Sequence, residues 1–172
     1  MLTLTKATLE DWPIIQKMIP FFIYELARYW DWPFEENGKG LEIAYEHSAV
    51  FANMRRYIDE DHKTFYLIKN NQELAGLACI RKEPKESQAD WYLGEFFILS
   101  RFQGKGTAQE AIKQLWSMHK GQWHLNVLPI NTRGLRFWEK TIDLFTQGKF
   151  SKELTPVVEY CSEPRITFRF RV

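Results

Sequence analysis

The chain has 172 residues, with 23 Lys+Arg against 22 Asp+Glu and a formal net charge of +1 at pH 7. Hydrophobic residues at 45% and charged residues at 26% make a globular balance that excludes intrinsic disorder, collagen and coiled coil, and the length predicts one domain over 1–172. A total charge this close to zero supplies no field to steer the chain toward nucleic acid or a membrane, so neither is expected as a partner.

From the N-terminus, residues 2–6 alternate well enough for a short strand. Thr8 followed by Asp11 resembles a capping box that opens a helix. Ile14, Ile15, Met18, Phe22 and Leu26 keep a helical stripe, which Pro20 should kink or split. Trp32-Pro33 and then Asn37-Gly38 mark a break, after which 41–57 reads as a second helix. Residues 65–68 and 74–80 read as an antiparallel hairpin turning at Asn70-Asn71, and 82–89 as a polar loop. Residues 91–99 are almost continuously apolar, the pattern of a strand buried on both faces. A helix over 106–119 gathers Ala108, Ala111, Ile112, Leu115 and Met118 on one face. Residues 123–127 form another strand, and Asn131 caps a helix that runs to about Ile142. At the end, Ile166, Phe168, Phe170 and Val172 alternate with Arg165, Thr167, Arg169 and Arg171, a half-buried strand with one basic face.

This order predicts an α/β (α+β) fold: a mixed, mostly antiparallel central sheet of six to seven strands with helices on both faces. The step from 91–99 over a helix to 123–127 is a parallel crossover. Cys79 and Cys161 make no disulfide framework, and Cys79 lies in an apolar run that predicts burial. His47, His62, His119 and His124 have no metal-ligand spacing, so no metal is expected. The first residues lack the cationic start and apolar stretch of a secretory signal, and no apolar run approaches the roughly 20 residues of a membrane span. The expectation is a cytoplasmic protein.

Chemistry concentrates in one stretch. Ser100 to Ala108 lies between the most apolar strand and a helix, and Gly104 and Gly106 permit backbone conformations closed to other residues. The loop feeds a helix N-terminus, where free N–H groups and the macrodipole favour an anion, and Arg101 and Lys105 add positive charge. The inference is a phosphate cradle. It is not a Walker A loop, because the order is Gly-Lys-Gly-Thr, and a dinucleotide fingerprint fails at Gln109. Residues 101–140 hold seven Lys/Arg and two Asp/Glu, a local +5 that leaves −4 for the remainder of the chain. A polyanion would find its counter-charge there.

Gln103-Gly104-Lys105-Gly106-Thr107-Ala108 is similar to the Gln/Arg-x-x-Gly-x-Gly/Ala signature of the GNAT superfamily of N-acetyltransferases. About 25 residues on, the run from Asn131 to Lys140 resembles that family's Asn-x-x-Ala-x-x-Phe-Tyr-Glu-Lys helix, with glycine replacing alanine at Gly134 and Trp138 replacing the tyrosine. The paired motifs and the element order extend the resemblance over nearly the whole chain.

The resemblance implies acetyl-CoA as cosubstrate, held where the fourth and fifth strands splay apart. Backbone groups of Phe97, Ile98 and Leu99 would bind the pantetheine arm and the acetyl carbonyl. Amides of Gln103, Gly104, Lys105, Gly106, Thr107 and Ala108 would hold the pyrophosphate, and Asn131 would bond the arm. The implied activity is acetyl transfer to a primary amine, small-molecule or protein, by direct attack in a ternary complex. Glu95, a carboxylate within an apolar strand, is the candidate base, because desolvation raises its pKa. An indole cannot replace the family's tyrosine as proton donor, so water, Tyr92 or Tyr160 would serve as the acid. That departure also allows a non-catalytic acyl-CoA-binding or sensor domain.

The acceptor site would draw on Phe21, Phe22, Tyr24, Tyr29, Trp30, Trp32 and Phe34 with Glu25, Asp31, Glu35 and Glu36 interleaved, a mixture suited to a cationic amine. The same residues also read as core aromatics and solvated acids. The resemblance allows a homodimer through the closing strands, and the basic face of Arg165, Arg169 and Arg171 is as well explained by solvation.

Overall fold

The computed structural model describes residues 1–29, 35–38, 49–156 and 163–172. In chain order these form β1 (Leu2–Lys6), α1 (Trp12–Ala27), α2 (Ala49–Asp59), β2 (Lys63–Asn70), β3 (Glu73–Lys82), β4 (Trp91–Ile98), α3 (Thr107–Met118), β5 (Gln122–Val127), α4 (Thr132–Thr146), β6 (Phe150–Thr155) and β7 (Arg165–Arg171). The strands make one seven-stranded sheet in the order β1-β2-β3-β4-β5-β7-β6. Every neighbouring pair is antiparallel except β4–β5, which is parallel, as the crossover through α3 requires.

Two cores form, one on each face of the sheet. On the α1–α2 face, Ile15, Met18, Ile19, Phe22, Phe51, Met54 and Tyr57 pack on Phe65, Leu67, Leu77, Cys79 and Phe97. On the α3–α4 face, Ala111, Ile112, Leu115, Trp116, Trp138 and Ile142 pack on Ile80, Leu93, Trp123, Leu125, Phe168 and Phe170. The sheet is a partition, and a group placed on one face cannot reach the other except through a gap in it.

Several local signals act as the sequence predicts. The Thr8 N–H donates to the Asp11 carboxylate at 2.9 Å and opens the one-turn helix that leads into α1. Asn71 and Gln72, at φ 50° and 69°, turn the β2–β3 hairpin. Cys79 is fully buried. Three expectations are corrected. Pro20 does not split α1, because the ring deletes only one hydrogen bond while Ile15, Met18, Ile19, Phe22 and Ile23 stay buried on both sides of it. Helix α4 continues four residues past Ile142, because Thr146 still packs inward and a left-handed Gln147 (φ 54°) closes the helix. Strand β4 is only partly buried: Leu93 and Ile98 are buried on the α3–α4 face and Phe97 on the α1–α2 face, and the rest are half-buried. Residues 41–48 of the second predicted helix lie outside the described residues.

Candidate active site

The exposure of β4 has a topological cause. Strand β5 pairs with β4 only from Trp91 to Leu93, opposite Trp123 to Leu125. Beyond Leu93 the two strands part, and a gap opens in the sheet. A β-bulge sits at that point. Ile80 of β3 faces Leu93, Cys79 faces Glu95, and Gly94 is the extra residue. A Cβ on Gly94 would stand 2.2 Å from the Tyr57 hydroxyl, so glycine leaves room for the tip of this side chain against β4.

The bulge also sets which way Glu95 points. Leu93 and Phe96 belong to the α3–α4 core, whereas Glu95 lies opposite Cys79 and beside Tyr57 on the α1–α2 face. Burial pushes the Glu95 carboxyl up from 4.5 to about 7. Its proximity raises Cys79, Tyr57 and Tyr92 in turn, each already raised by burial. A carboxyl poised near neutrality at the lip of a cleft can accept a proton in the physiological range.

Main-chain groups line the same gap. The Leu99 N–H donates to the Ala75 carbonyl at 2.8 Å. Alternation along an antiparallel ladder then turns Leu99 and Phe97 toward β3 and leaves the amides of Ile98 and Phe96 facing the gap. Of the three residues expected to offer backbone groups, Ile98 turns its amide to the opening, Phe97 and Leu99 turn theirs to β3, and Phe96, which the sequence did not single out, also turns its amide to the opening. The signal for it is the register, which an apolar run does not reveal. The Ile98 carbonyl is already used, accepting from Gln103 Nε2 at 2.6 Å, while Gln103 Oε1 accepts from Arg133 at 2.8 Å. Gln103 is thus a tie between β4 and α4, and its own N–H donates to Ser100.

Beyond Gln103 the cradle is built as the glycines suggest. Gly104 (φ 72°) and Gly106 (φ 79°) are both left-handed, and a Cβ on either would meet nothing within 4 Å. Helix α3 starts without a side-chain cap, so the amides of its first turn, including Thr107 and Ala108, are free to meet an anion. Lys105 is exposed beside them, and Arg101 is paired with Glu73 at 3.2 Å. A groove between α3 and α4 lined by Gly106, Gln109, Lys113, Thr141 and Phe145 adjoins this loop. Among the described residues the buried Thr141 hydroxyl has no hydrogen-bond partner. Free amides, open space before two glycines and an orphaned hydroxyl fit a large phosphorylated ligand.

At α4, Asn131 caps the helix, its Oδ1 accepting from the Gly134 N–H at 2.7 Å. A Cβ at position 134 would lie 2.6 Å from that side chain, which accounts for glycine where alanine was expected. Trp138 is buried on the α3–α4 face, edge-on to Phe96 at 5.4 Å and to Phe137 at 4.9 Å. It packs the core and offers no proton.

The sequence matches the Acetyltransferase (GNAT) family over residues 21–143, most of the chain. The chain belongs to this family. Solved structures share the GNAT fold at low identity. An acetyltransferase of the GNAT family from Streptococcus agalactiae 2603 is 14% identical, with TM-score 0.71, over 99% of this chain and 95% of that one. An acetyltransferase from Thermus thermophilus is 14% identical, with TM-score 0.66, over 100% and 97%. Spermidine N-acetyltransferase from Vibrio cholerae, in complex with CoA and spermine, is 17% identical, with TM-score 0.59, over 98% and 92%. No curated relative matches the sequence.

In this GNAT chain the aromatic cluster expected for an acceptor divides. Phe22 is buried, edge-on to Phe97 at 5.7 Å, whereas Phe21 and Tyr24 are exposed on α1. Glu25 pairs with Arg28 at 3.3 Å, and Glu35 and Glu36 are exposed. Trp30, Asp31, Trp32 and Phe34, like Tyr160, Cys161 and His47, lie outside the described residues. On the basic face, Arg169 pairs with Glu153 and Arg165 with Glu163. Among the described residues no three His, Cys, Asp or Glu side chains are grouped to hold a metal, and no helix is long and apolar enough to cross a membrane.

Proposed function

We propose that this GNAT protein transfers an acetyl group from acetyl-CoA to a primary amine by direct attack in a ternary complex, with Glu95 as the base. The observation that carries the reading is the gap beyond Leu93. It joins Glu95 on the α1–α2 face to the free amides of the α3 N-terminus. Acetyl-CoA would supply the activated thioester. The Gly104–Ala108 loop and the first turn of α3 hold its pyrophosphate, with the Gln103 side chain bracing that loop from below. The amides of Phe96 and Ile98 donate to the pantetheine arm and the acetyl carbonyl, where fixed dipoles stabilise a developing oxyanion without reorganising. Asn131 spends its Oδ1 on the Gly134 amide and keeps Nδ2 to donate to the arm. Glu95 takes the proton that the attacking amine loses.

A cationic or amphipathic amine is the acceptor class this site suits. A carboxylate and aromatic rings face the α1–α2 side of the gap, and solved structures of this fold include a spermidine N-acetyltransferase bound to spermine and an aminoglycoside acetyltransferase. Titration calorimetry with CoA, followed by a thiol-release assay over a panel of polyamines, amino sugars, amino acids and peptides, tests the proposal. Binding and amine-dependent release are expected. Absence of CoA binding at millimolar concentration refutes it. The core position of Trp138 favours one second reading, an acyl-CoA sensor, which binding without release on every amine would support.

A further inference from the structure

Trp138 leaves the leaving-group side of the proposed reaction without the tyrosine expected on α4. A different phenol reaches the gap. Tyr92 is paired with Arg81 of β3 and with His124 of β5 on the α1–α2 face. Its ring lies 4.7 Å from the His124 ring, with the Arg81 guanidinium 4.9 Å from its centroid. The ring leans along the strand, so that its edge comes within 3.4 Å of where a Gly94 Cβ would be. The hydroxyl reaches the Asn126 side chain, one residue beyond the last β5 residue that pairs with β4. The phenol therefore ends at the apex of the gap, on the same face as Glu95.

The side chain that faces this hydroxyl is itself held from three strands away. The Thr155 and Thr167 hydroxyls are in hydrogen-bond contact across β6 and β7. Thr167, buried at 3% exposure, donates to Asn126 Oδ1 at 2.8 Å. With that oxygen engaged, Nδ2 is the Asn126 group left to face Tyr92, whose acidity Asn126 increases. With a donor group on that side, the Tyr92 O–H is left to donate into the gap.

We propose that Tyr92 is a catalytic hydrogen-bond donor to the thioester sulfur, taking the place on β4 of the donor absent from α4, and that Asn126 and Thr167 are positioning residues that hold its O–H in that direction. The proposal rests on the acetyl-CoA reading above. Burial, then Glu95, pushes the phenol up to about 12, against the opposing pull of Asn126 and Arg81. The other groups facing it are Glu83 after β3, His124 on β5 and Tyr57 on α2. Tyr92 accordingly keeps its proton and donates a hydrogen bond. The C–N bond forms as the carbonyl pair moves onto oxygen; when that pair returns the C–S bond breaks, and its electron pair leaves on sulfur. Glu95 holds the proton lost by the amine until it passes to water, and the thiolate takes one proton from water on release.

The test needs no acceptor. Bound CoA is titrated by the ultraviolet absorbance of its thiolate, with desulfo-CoA as blank, in the parent protein and in Tyr92→Phe. Loss of a hydrogen bond to the thiolate should raise the pKa of the bound thiol by about one pH unit. Thr167→Val changes no charge and lies away from the sulfur. It should raise the thiol pKa partway in the parent and not at all in the Tyr92→Phe background, a non-additivity that a merely structural role would not produce. Calorimetric CoA affinity within about threefold of the parent serves as the folding check for both variants. If CoA binds but the thiol titrates alike in the parent and in every variant, Tyr92 is not the donor. Failure of the parent to bind CoA would instead overturn the cosubstrate reading and this inference with it.

Discussion

Glu95→Gln separates the two consequences of putting a carboxyl at the bulge. In the folded chain burial holds Glu95 at about 7, against 4.5 for the free side chain. Folding therefore favours the protonated form. The carboxyl costs almost nothing below pH 4.5, its penalty grows as the pH rises from 4.5 to 7 while only the unfolded chain ionises it, and the penalty levels off above 7. At 1.36 kcal/mol per pH unit the full penalty is about 3 kcal/mol at most, since water entering through the gap relaxes part of it. Glutamine keeps the shape and never ionises.

The expected outcome is a variant that melts like the parent at pH 4 and above it at pH 8. The gain at pH 8 should be roughly 5–10 °C, taking about 2–4 °C per kcal/mol for a domain of this size. The same substitution should lower amine-dependent thiol release by about 100-fold or more and abolish its rise with pH around 7. Thermal unfolding at the two pH values and a pH–rate profile read both effects. A variant with the parent's melting temperature at both pH values would show that Glu95 is not a high-pKa carboxyl, and the base assignment would fall with it. A variant that is more stable at pH 8 but fully active would keep the electrostatics and refute the chemistry.

Three further substitutions probe the walls of the site. Gly106→Val forces a β-branched residue to φ +79° and sets its side chain before the α3 amides, so CoA affinity should drop at least about tenfold by calorimetry, with about 1–2 kcal/mol of stability lost in denaturant unfolding. Gly134→Ala would normally stabilise a helix by about 1 kcal/mol, but here the new Cβ displaces Asn131 and its cap, so unfolding should show no net gain and calorimetry weaker CoA binding. Trp138→Tyr restores the residue expected by family resemblance at a position buried behind Phe96. Turnover should stay within about threefold while about 1–3 kcal/mol of stability is lost, and a large rate gain would show that the α4 phenol does reach the sulfur.

The parts of the site legible in the sequence are those written as local chemistry. Gly104 and Gly106 announce a left-handed loop because no other residue takes φ near +75° cheaply, and the cap at Asn131 announces itself by residue type. The succession of β1 to β5 and of β7 along the chain is readable because strand periodicity and turn residues are local as well, whereas β6 carries no such pattern. What stayed hidden depends on register. Nothing about Tyr57 marks it as a neighbour of Glu95, since they meet only through the packing of α2 on β3 and β4. Thr167 and Asn126 stand 41 positions apart and are joined only because β7 inserts between β5 and β6.

The bulge at Gly94 ties these hidden features to one cause. Side chains alternate along a strand with period two, so a single extra residue moves every later side chain to the opposite face. Tyr92 lies on the α1–α2 face, and an unbroken ladder would put Gly94 there and turn Glu95 inward to the α3–α4 core, against Phe137 and Trp138. With the extra residue, Glu95 stays on the face of Tyr92 and Tyr57, and Phe96 takes its place in the core. The same irregularity lies where β4 ceases to pair with β5. One residue therefore opens the gap, aims the carboxyl into it, and, by lacking a side chain, admits the Tyr57 hydroxyl to within 2.2 Å of where a Cβ would be. The apolar run 91–99 conceals all of this, because a continuous run reads the same in either register.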